Sequence, residues 1–528
     1  MSTQPSSPRA VHLERGILLC TALFMLICIL CIAAHFSYQW MDGSWNAQVA
    51  VTFAQTGRYA VTYPTDEIFH VPITTGQTVL LPAALTFRLG GVTDFTAALV
   101  PALYMCAALL TMLAMLYRFF ATAHASPVCR AVLCSVCALF CFFSFSLYGR
   151  YAYQLLGEGA ALLFLLLACL FLAGYIQSRK RRDALACGAM LACALVTKTV
   201  AVCFLLVFAL LMLLECLLTR RFPFSFVLAL IAGFVVSFGV LESFKFIQLG
   251  CDAAAYVNWW KRTIYYSFHL SAGQGASLSF AARLAANLRD ASALLTGGSV
   301  VALVLTVLIA PACYLASLWA RLTHRADPFA APARFALLAL GLGGDGFLVA
   351  SLLFTSGGMF SQRRILLHGV CFLAFIVPVL LFCILRAFRR ATPRRIGAAA
   401  LSALLLLSLL PNTVTNAADC FRYAQGDDAR RSADVHAYIE AVRALTHEDA
   451  LYYGSGWSFA AETALMLSLP MINLETNPPD FSDGRAHYLL VESYPIEADL
   501  SAVYSLTPVY RLREGEETYS VYLLEPLP

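Results

Sequence analysis

Ile17 to Phe36 is an unbroken apolar run of 20 residues. That is about the length an α-helix needs to cross the hydrocarbon core of a bilayer. Ten further apolar stretches follow, at 97–117, 131–148, 158–176, 184–198, 200–218, 224–246, 296–320, 335–354, 365–385 and 396–411. A segment in lipid must satisfy its own backbone hydrogen bonds, so each of these is expected to be helical. The pattern predicts a mainly α, polytopic membrane protein with about eleven transmembrane helices. The pair of runs on either side of Lys198 also fits one broken helix. Composition agrees: 60% of the 528 residues are hydrophobic and 13% are charged, against about 25% charged in soluble domains. A secretory leader has a shorter apolar core and a small-residue cleavage site, so the first run reads as a retained span.

Charge sets the expected orientation. Arg9 and Arg15, Arg118 and Arg130, the Arg179–Arg182 run, Arg220-Arg221, Arg321 with Arg325 and Arg334, and the cluster from Arg386 to Arg395 fall on one side of an eleven-span topology. Short loops rich in Lys and Arg stay in the cytoplasm. The N-terminal 1–16 segment is then cytoplasmic, and residues 17–412 form the membrane domain. Loops 37–96, 148–157, 247–295 and 355–364 lie outside, together with the tail. From Thr413 onward the chain carries 7 Arg, no Lys and 18 Asp or Glu, a balance of −11, whereas the rest carries 29 basic and 13 acidic residues. Ala433–Leu445 has helical spacing, and short β-rich stretches follow at 450–453, 471–474, 487–491 and 519–524. Residues 413–528 therefore read as a small extracytoplasmic α/β domain. No basic tract interleaved with aromatics points to nucleic acid.

Most of the 18 cysteines lie inside apolar runs, where cysteine acts as a small hydrophobe. Cys134 and Cys137 form a C-x-x-C without a second pair or a histidine, which disfavours metal or redox use. Cys251 and Cys420 fall in expected outer segments, within reach of a disulfide reading.

Ionisable groups at membrane depth are costly and call for a reason. Asp42 stands where the first span ends. Glu158 opens the fourth. Lys198 lies at the outer turn after the fifth. Arg363 and Arg364 stand outside, against the positive-inside trend. All five share one expected face and depth. A carboxylate at a water boundary can serve as general base or hold a divalent cation, while arginines and a lysine can hold a phosphate and stabilise it as a leaving group. Plainer readings stand beside these. Asp42 fits a solvated helix end, Glu158 a first-turn carboxylate favoured by the helix dipole, Lys198 a snorkelling side chain, and the arginine pair a headgroup anchor. Asp345, set among glycines in the ninth run, is expected to have a buried partner. His70 and His269 are candidate ligands only by position, and Asp66-Glu67 reads as a solvated turn. In loop 247–295, Tyr256, Trp259, Trp260, Tyr265 and Tyr266 predict helices lying at the interface.

Several of these stretches together resemble the GT-C superfamily of polytopic glycosyltransferases that use polyprenyl-phosphate sugars, in the branch with protein O-mannosyltransferases and the aminoarabinose transferase of lipid A. The resemblance rests on five features: Asp42 after the first span; Thr56-Gly57-Arg58-Tyr59; Thr74-Thr75-Gly76-Gln77-Thr78-Val79-Leu80-Leu81-Pro82; Gly149-Arg150-Tyr151 with Gly157-Glu158; and Arg363-Arg364-Ile365-Leu366-Leu367. Where the family often has Asp-Glu, this chain has Asp42-Gly43. The resemblance implies Asp42 as catalytic carboxylate and Glu158 as a second acid of the pocket. Arg150 would bind substrate, and Lys198, Arg363 and Arg364 would face the donor phosphate. It implies inverting transfer from a polyprenyl-phosphate-linked sugar to a lipid, glycan or protein acceptor at the outer face of a plasma membrane, among membrane lipids, with a divalent metal ion as a candidate cofactor. A transporter or flippase of a lipid-linked substrate is the first competing reading, though no related halves are visible in the chain. A non-catalytic scaffold with an outer sensing domain is the second, and it leaves Asp42 without a task.

Overall fold

The computed structural model describes residues 7–35, 39, 42–62, 67–122, 126–219, 224–269, 279–354, 366–389, 392–422, 427–447, 449–455, 461–492, 496, 500–513, 515 and 518–527. The membrane part runs α1 (Pro8–His35), α2 (Asp42–Thr56), a small hairpin of β1 (Ala60–Val61) and β2 (Glu67–Ile68), α3 (Gln77–Gly90), α4 (Asp94–Ala121), α5 (Pro127–Ser144) and α6 (Glu158–Ser178). It continues with α7 (Arg181–Thr197), α8 (Ala201–Leu214), α9 (Phe224–Gln248), α10 (Ala253–His269), α11 (Phe280–Thr296), α12 (Val300–Val307), α13 (Ile309–Leu322), α14 (Pro332–Phe354), α15 (Leu366–Arg389) and α16 (Pro393–Arg422). The tail adds α17 (Asp427–Ala444), β3 (Ala450–Gly454), α18 (Ala461–Leu467), β4 (Met471–Asn473), β5 (Ala486–Val491), β6 (Tyr504–Arg511) and β7 (Ser520–Pro526).

Among the described residues, nine helical segments are long and apolar enough to cross a membrane. α12 and α13 together make one of them, Val300–Leu322. The expected runs 184–198 and 200–218 form separate helices, α7 and α8, of 17 and 14 residues. Both fall short of the roughly 20 residues of a full span. They part at Lys198, whose extended backbone (φ −145°, ψ 116°) ends α7 and forms an isolated antiparallel bridge with Thr75. α7 and α9 approach at small residues: a Cβ on Gly188 would stand 2.0 Å from the Leu230 carbonyl oxygen, and one on Gly233 would stand 2.0 Å from that of Leu185. Small residues let helix backbones meet closely where lipid supplies no hydrophobic drive. Local signals set other helix starts. Thr93 and Thr96 form a reciprocal capping box on α4, and Ser126 caps α5 ahead of Pro127.

The 37–96 segment was expected as a turn-rich loop, but it holds α2 and α3 around the β1–β2 hairpin. These elements form one end of the bundle, here the head. There α1 and α9 finish and α6 begins; the opposite end is the base. α10 and α11 occupy the segment expected to hold interfacial helices.

α16 runs unbroken through residue 413, where the tail was expected to begin. Thr413 and Ser144 share a 2.6 Å hydroxyl hydrogen bond, and Asn416 donates to the Ser144 carbonyl at 3.1 Å. Beyond it, the five-stranded sheet has the order β4-β3-β5-β7-β6. β3 is parallel to β4 and β5; β7 is antiparallel to β5 and β6. Tyr453, Leu474, Leu489, Val491, Tyr522 and Leu524 form one of its buried clusters. The tail rests on the head. Leu465 of α18 packs among Ala47, Val51 and Val79, and Met471 packs against Trp45 and Ile73. Asp94 and His436 meet at 2.7 Å.

The cysteines follow the hydrophobic reading. Cys134, Cys137 and Cys141 are buried in the bundle core without disulfides. Cys251 and Cys420 are both unbridged, and the thiol of Cys420 meets that of Cys28 instead.

Candidate functional site

The head is tied together by polar side chains from several segments. Gln39, buried after α1, donates from Nε2 to the Tyr153 carbonyl at 2.8 Å and accepts the Leu155 amide at 2.8 Å. Ser44 donates to the Gln39 carbonyl at 2.6 Å. Asn46, one turn into α2, donates to Thr75 Oγ1 at 3.0 Å and to the Leu155 carbonyl at 2.6 Å. These bonds join the end of α1, the start of α2 and the segment before α6. Two glycines admit close backbone approach. A Cβ on Gly76 would lie 1.7 Å from the Val196 carbonyl oxygen, and one on Gly157 would lie 2.9 Å from that of Thr197. The Gly76 amide donates to the Thr197 carbonyl at 2.9 Å. The Thr74–Pro82 stretch thereby lies against the break between α7 and α8.

Lys198 stands at that break. Its Nζ lies 3.1 Å from Glu158 Oε1 and donates to Thr74 Oγ1 at 3.1 Å. Glu158 opens α6, where the N-terminal amides favour a negative charge. Its second oxygen, Oε2, is buried with no hydrogen-bond partner among the described residues. Buried polar atoms are rarely left so, and a lysine ammonium has three donors to place. The pair therefore keeps hydrogen-bonding capacity for a ligand. Asp42 is the first residue of α2 and is exposed. It sits one turn before Asn46, the residue that reaches Thr75 beside Lys198. Asp42, Glu158 and Lys198 thus all stand in head segments, and Glu158 and Lys198 meet directly. Arg150 lies in the short turn Arg150–Ala152 between buried Tyr148 and Tyr153, with only its backbone described. Arg363 and Arg364 lie outside the described residues.

A second cluster lies alongside. Trp45 of α2 meets the His70 ring edge-on at 6.5 Å. His70 Nδ1 is 2.6 Å from Glu67 Oε2, and Arg262 Nη1 of α10 is 2.5 Å from Glu67 Oε1. Glu67 is thus a paired residue, not the solvated turn expected. Burial pushes its carboxyl up, but the hydrogen bonds and charges of Arg262 and His70 outweigh that and hold it below the usual glutamate range. His70 acts as Glu67's partner, and Asp66 lies outside the described residues.

Behind it, Lys245 at the head end of α9 is enclosed by aromatic rings. Its Nζ is 3.6 Å from the centroid of Trp259 and 4.8 Å from that of Trp260, and it pairs with Glu242 at 2.7 Å. Tyr256 donates to Glu242 at 2.8 Å, and Trp259 Nε1 donates to the Phe69 carbonyl at 2.6 Å. The aromatics of α10 thus clamp α9 to the first head segment. Asp345 departs from expectation: the residue is 4% exposed, and neither carboxylate oxygen has a hydrogen-bond partner among the described residues. Among the described residues, no group of three or more His, Cys, Asp or Glu side chains is gathered as metal ligands.

No family model and no curated protein matches the sequence. Solved structures do. ArnT from Cupriavidus metallidurans, bound to undecaprenyl phosphate, aligns over 96% of this chain and 97% of that one, with a TM-score of 0.55 at 12% identity. Its apo state covers 95% and 97% with a TM-score of 0.49 at 12% identity. The Archaeoglobus fulgidus oligosaccharyltransferase in complex with Zn and sulfate covers 87% and 62% with a TM-score of 0.41 at 12% identity. With its apolar helices, the docked head elements and the small C-terminal sheet region, the chain shares its overall fold with the undecaprenyl-phosphate-bound ArnT structure.

Proposed function

We propose that the protein is a membrane glycosyltransferase that moves a sugar from a polyprenyl-phosphate donor to an acceptor at the extracytoplasmic face of a plasma membrane. One observation carries the reading. The Glu158–Lys198 pair, whose Glu158 Oε2 has no hydrogen-bond partner among the described residues, stands in the same head as Asp42, the exposed first residue of α2. The fold shared with an ArnT bound to undecaprenyl phosphate supports the donor class. In this scheme the N-terminus is cytoplasmic, and the head and the tail (413–528) lie outside.

The reaction divides among these residues. The acceptor's hydroxyl or amine attacks the anomeric carbon, forming the new bond as the bond from that carbon to the phosphate oxygen breaks. Asp42 takes the acceptor's proton. Polyprenyl phosphate leaves with the electron pair, and Lys198, oriented by Glu158 and Thr74, stabilises its charge. Arg363 and Arg364 are assigned with Lys198 to the donor phosphate, Arg150 to substrate binding, and the acceptor is a lipid, glycan or protein. Should a divalent cation take part, Asp42 is the carboxylate positioned to hold it.

Asp42→Asn keeps the size and most of the hydrogen bonding but cannot accept the proton. Transfer from a polyprenyl-phosphate sugar should fall about 10²–10⁴-fold, while undecaprenyl phosphate binding and thermal stability stay at parent values. Transfer at the parent rate would make Asp42 a solvated helix end and remove the reading's central residue.

A further inference from the structure

We propose that the cleft between the first head segment and α10 is a binding site for the phosphate headgroup of an anionic phospholipid. The cleft has a volume of about 460 Å³ and is lined by His70, Val71 and Pro72 on one side and by Lys261, Arg262 and Tyr265 on the other. Its α10 wall follows directly on Trp259 and Trp260, which pack on Lys245 near the end of α9, a membrane-length helix. Glu67 balances Arg262 and holds His70 Nδ1, so Lys261 supplies the further positive charge that suits a phosphate, beside the remaining donors of Arg262.

The walls point to a lipid rather than a free anion. Val71, Pro72 and Tyr265 are apolar or amphipathic. Val257, Ile264 and Tyr265 of α10 are 50%, 53% and 63% exposed. They lie at i, i+7 and i+8, on the helical face that also carries Lys261. Such a face settles at the boundary between headgroups and acyl chains. Acyl chains lying along Val257 and Ile264 bring their headgroup to the cleft. The wall is rigid because the rings around Lys245 hold Trp259, and Trp259 holds Phe69, the residue before His70. The site also touches the candidate active site, since His70 meets Trp45, one turn from Asp42. The inference goes beyond the transferase reading and stands whether or not a sugar is transferred.

The test uses the full chain in nanodiscs of phosphatidylcholine doped with phosphatidylglycerol, with retained lipid measured by native mass spectrometry. Phosphatidylglycerol should be retained over phosphatidylcholine. In Lys261→Gln/Arg262→Gln its retention should fall roughly tenfold or more, the loss expected for removed charge-assisted contacts. Lys261→Arg should preserve it, which separates lost charge from a disturbed α10. Equal retention of the two lipids, unchanged retention in the double variant, or displacement of phosphatidylglycerol by inorganic phosphate alone would each overturn the assignment.

Discussion

The base of the bundle and the Glu158–Lys198 corner of its head treat buried charge in opposite ways. At the base, Arg321 forms a forked pair with Glu215 at 2.5 and 2.6 Å. Arg321 Nε also lies 3.4 Å from Asp327, whose Oδ1 accepts Ser317 and the Phe329 amide at 2.8 Å each. Arg130 donates from Nε to Glu14 at 2.6 Å across α5 and α1. These charges have partners on neighbouring elements and serve to hold the helices in register. At the corner where Lys198 meets Glu158, one Glu158 oxygen is paired and the other is buried with no hydrogen-bond partner among the described residues. A buried network that is fully satisfied rigidifies a structure, whereas one left incomplete costs stability. The head bears that cost where a ligand could complete the network, which marks it as the working end and the base as the scaffold.

Three measurements can break or sharpen this contrast. The largest effect belongs to the base. Arg321→Leu leaves Glu215, which is fully buried, without its fork, and breaking a buried pair from one side costs about 3–5 kcal/mol. Thermal unfolding in detergent should show that loss with per-molecule transfer little changed. A variant with parent stability would deny the base its scaffold role.

The second concerns how firmly the tail is held on the head. Glu492, after β5, accepts the Thr463 amide at 3.0 Å and also the Thr463 hydroxyl, at the start of α18. Burial pushes its carboxyl up to about 7, and the Thr463 bonds only partly offset that. The folded protein therefore holds a proton that the unfolded chain has released, so stability is greatest below the unfolded value of about 4.5 and falls as pH rises to about 7. The full loss is on the order of 3 kcal/mol at about 1.4 kcal/mol per pH unit. Glu492→Gln should abolish this slope, read as hydrogen exchange in α18. If the variant shows the same slope, Glu492 is not its source.

The smallest effect belongs to the head. Lys198→Gln should weaken undecaprenyl phosphate binding by about 1.5–3 kcal/mol, the value of a hydrogen bond to a charged group, and alter thermal stability far less than Arg321→Leu does. A stability loss as large as that of Arg321→Leu with unchanged binding would make Lys198 another scaffold charge and erase the contrast.

Much of the fold was readable because each membrane helix is announced by its own residues. Runs such as 17–36 and 224–246 became α1 and α9 nearly as expected. β6, which Tyr504–Arg511 forms, escaped notice because Pro508 sits inside it and its burial does not alternate. α2 escaped because its helical face is buried by other segments, so polar Ser44, Asn46 and Gln48 lie inside where an amphipathic pattern would be apolar. Asp42, Glu158 and Lys198 could be nominated from their place beside apolar runs. Gln39 could not, since nothing local distinguishes a loop amide that will be buried.

The sequence by itself determined that this chain enters a membrane many times and carries an acidic tail, because hydrophobicity and charge act through counts along a short stretch. The tertiary structure decided which polar groups meet. Lys198 finds Thr74 across 124 positions, Arg262 finds Glu67 across 195, and α18 comes to rest on the helix that Asp42 begins. A hydrogen bond or an ion pair is satisfied at about 3 Å whatever the separation along the chain, so partners of this kind are written in space and not in spacing.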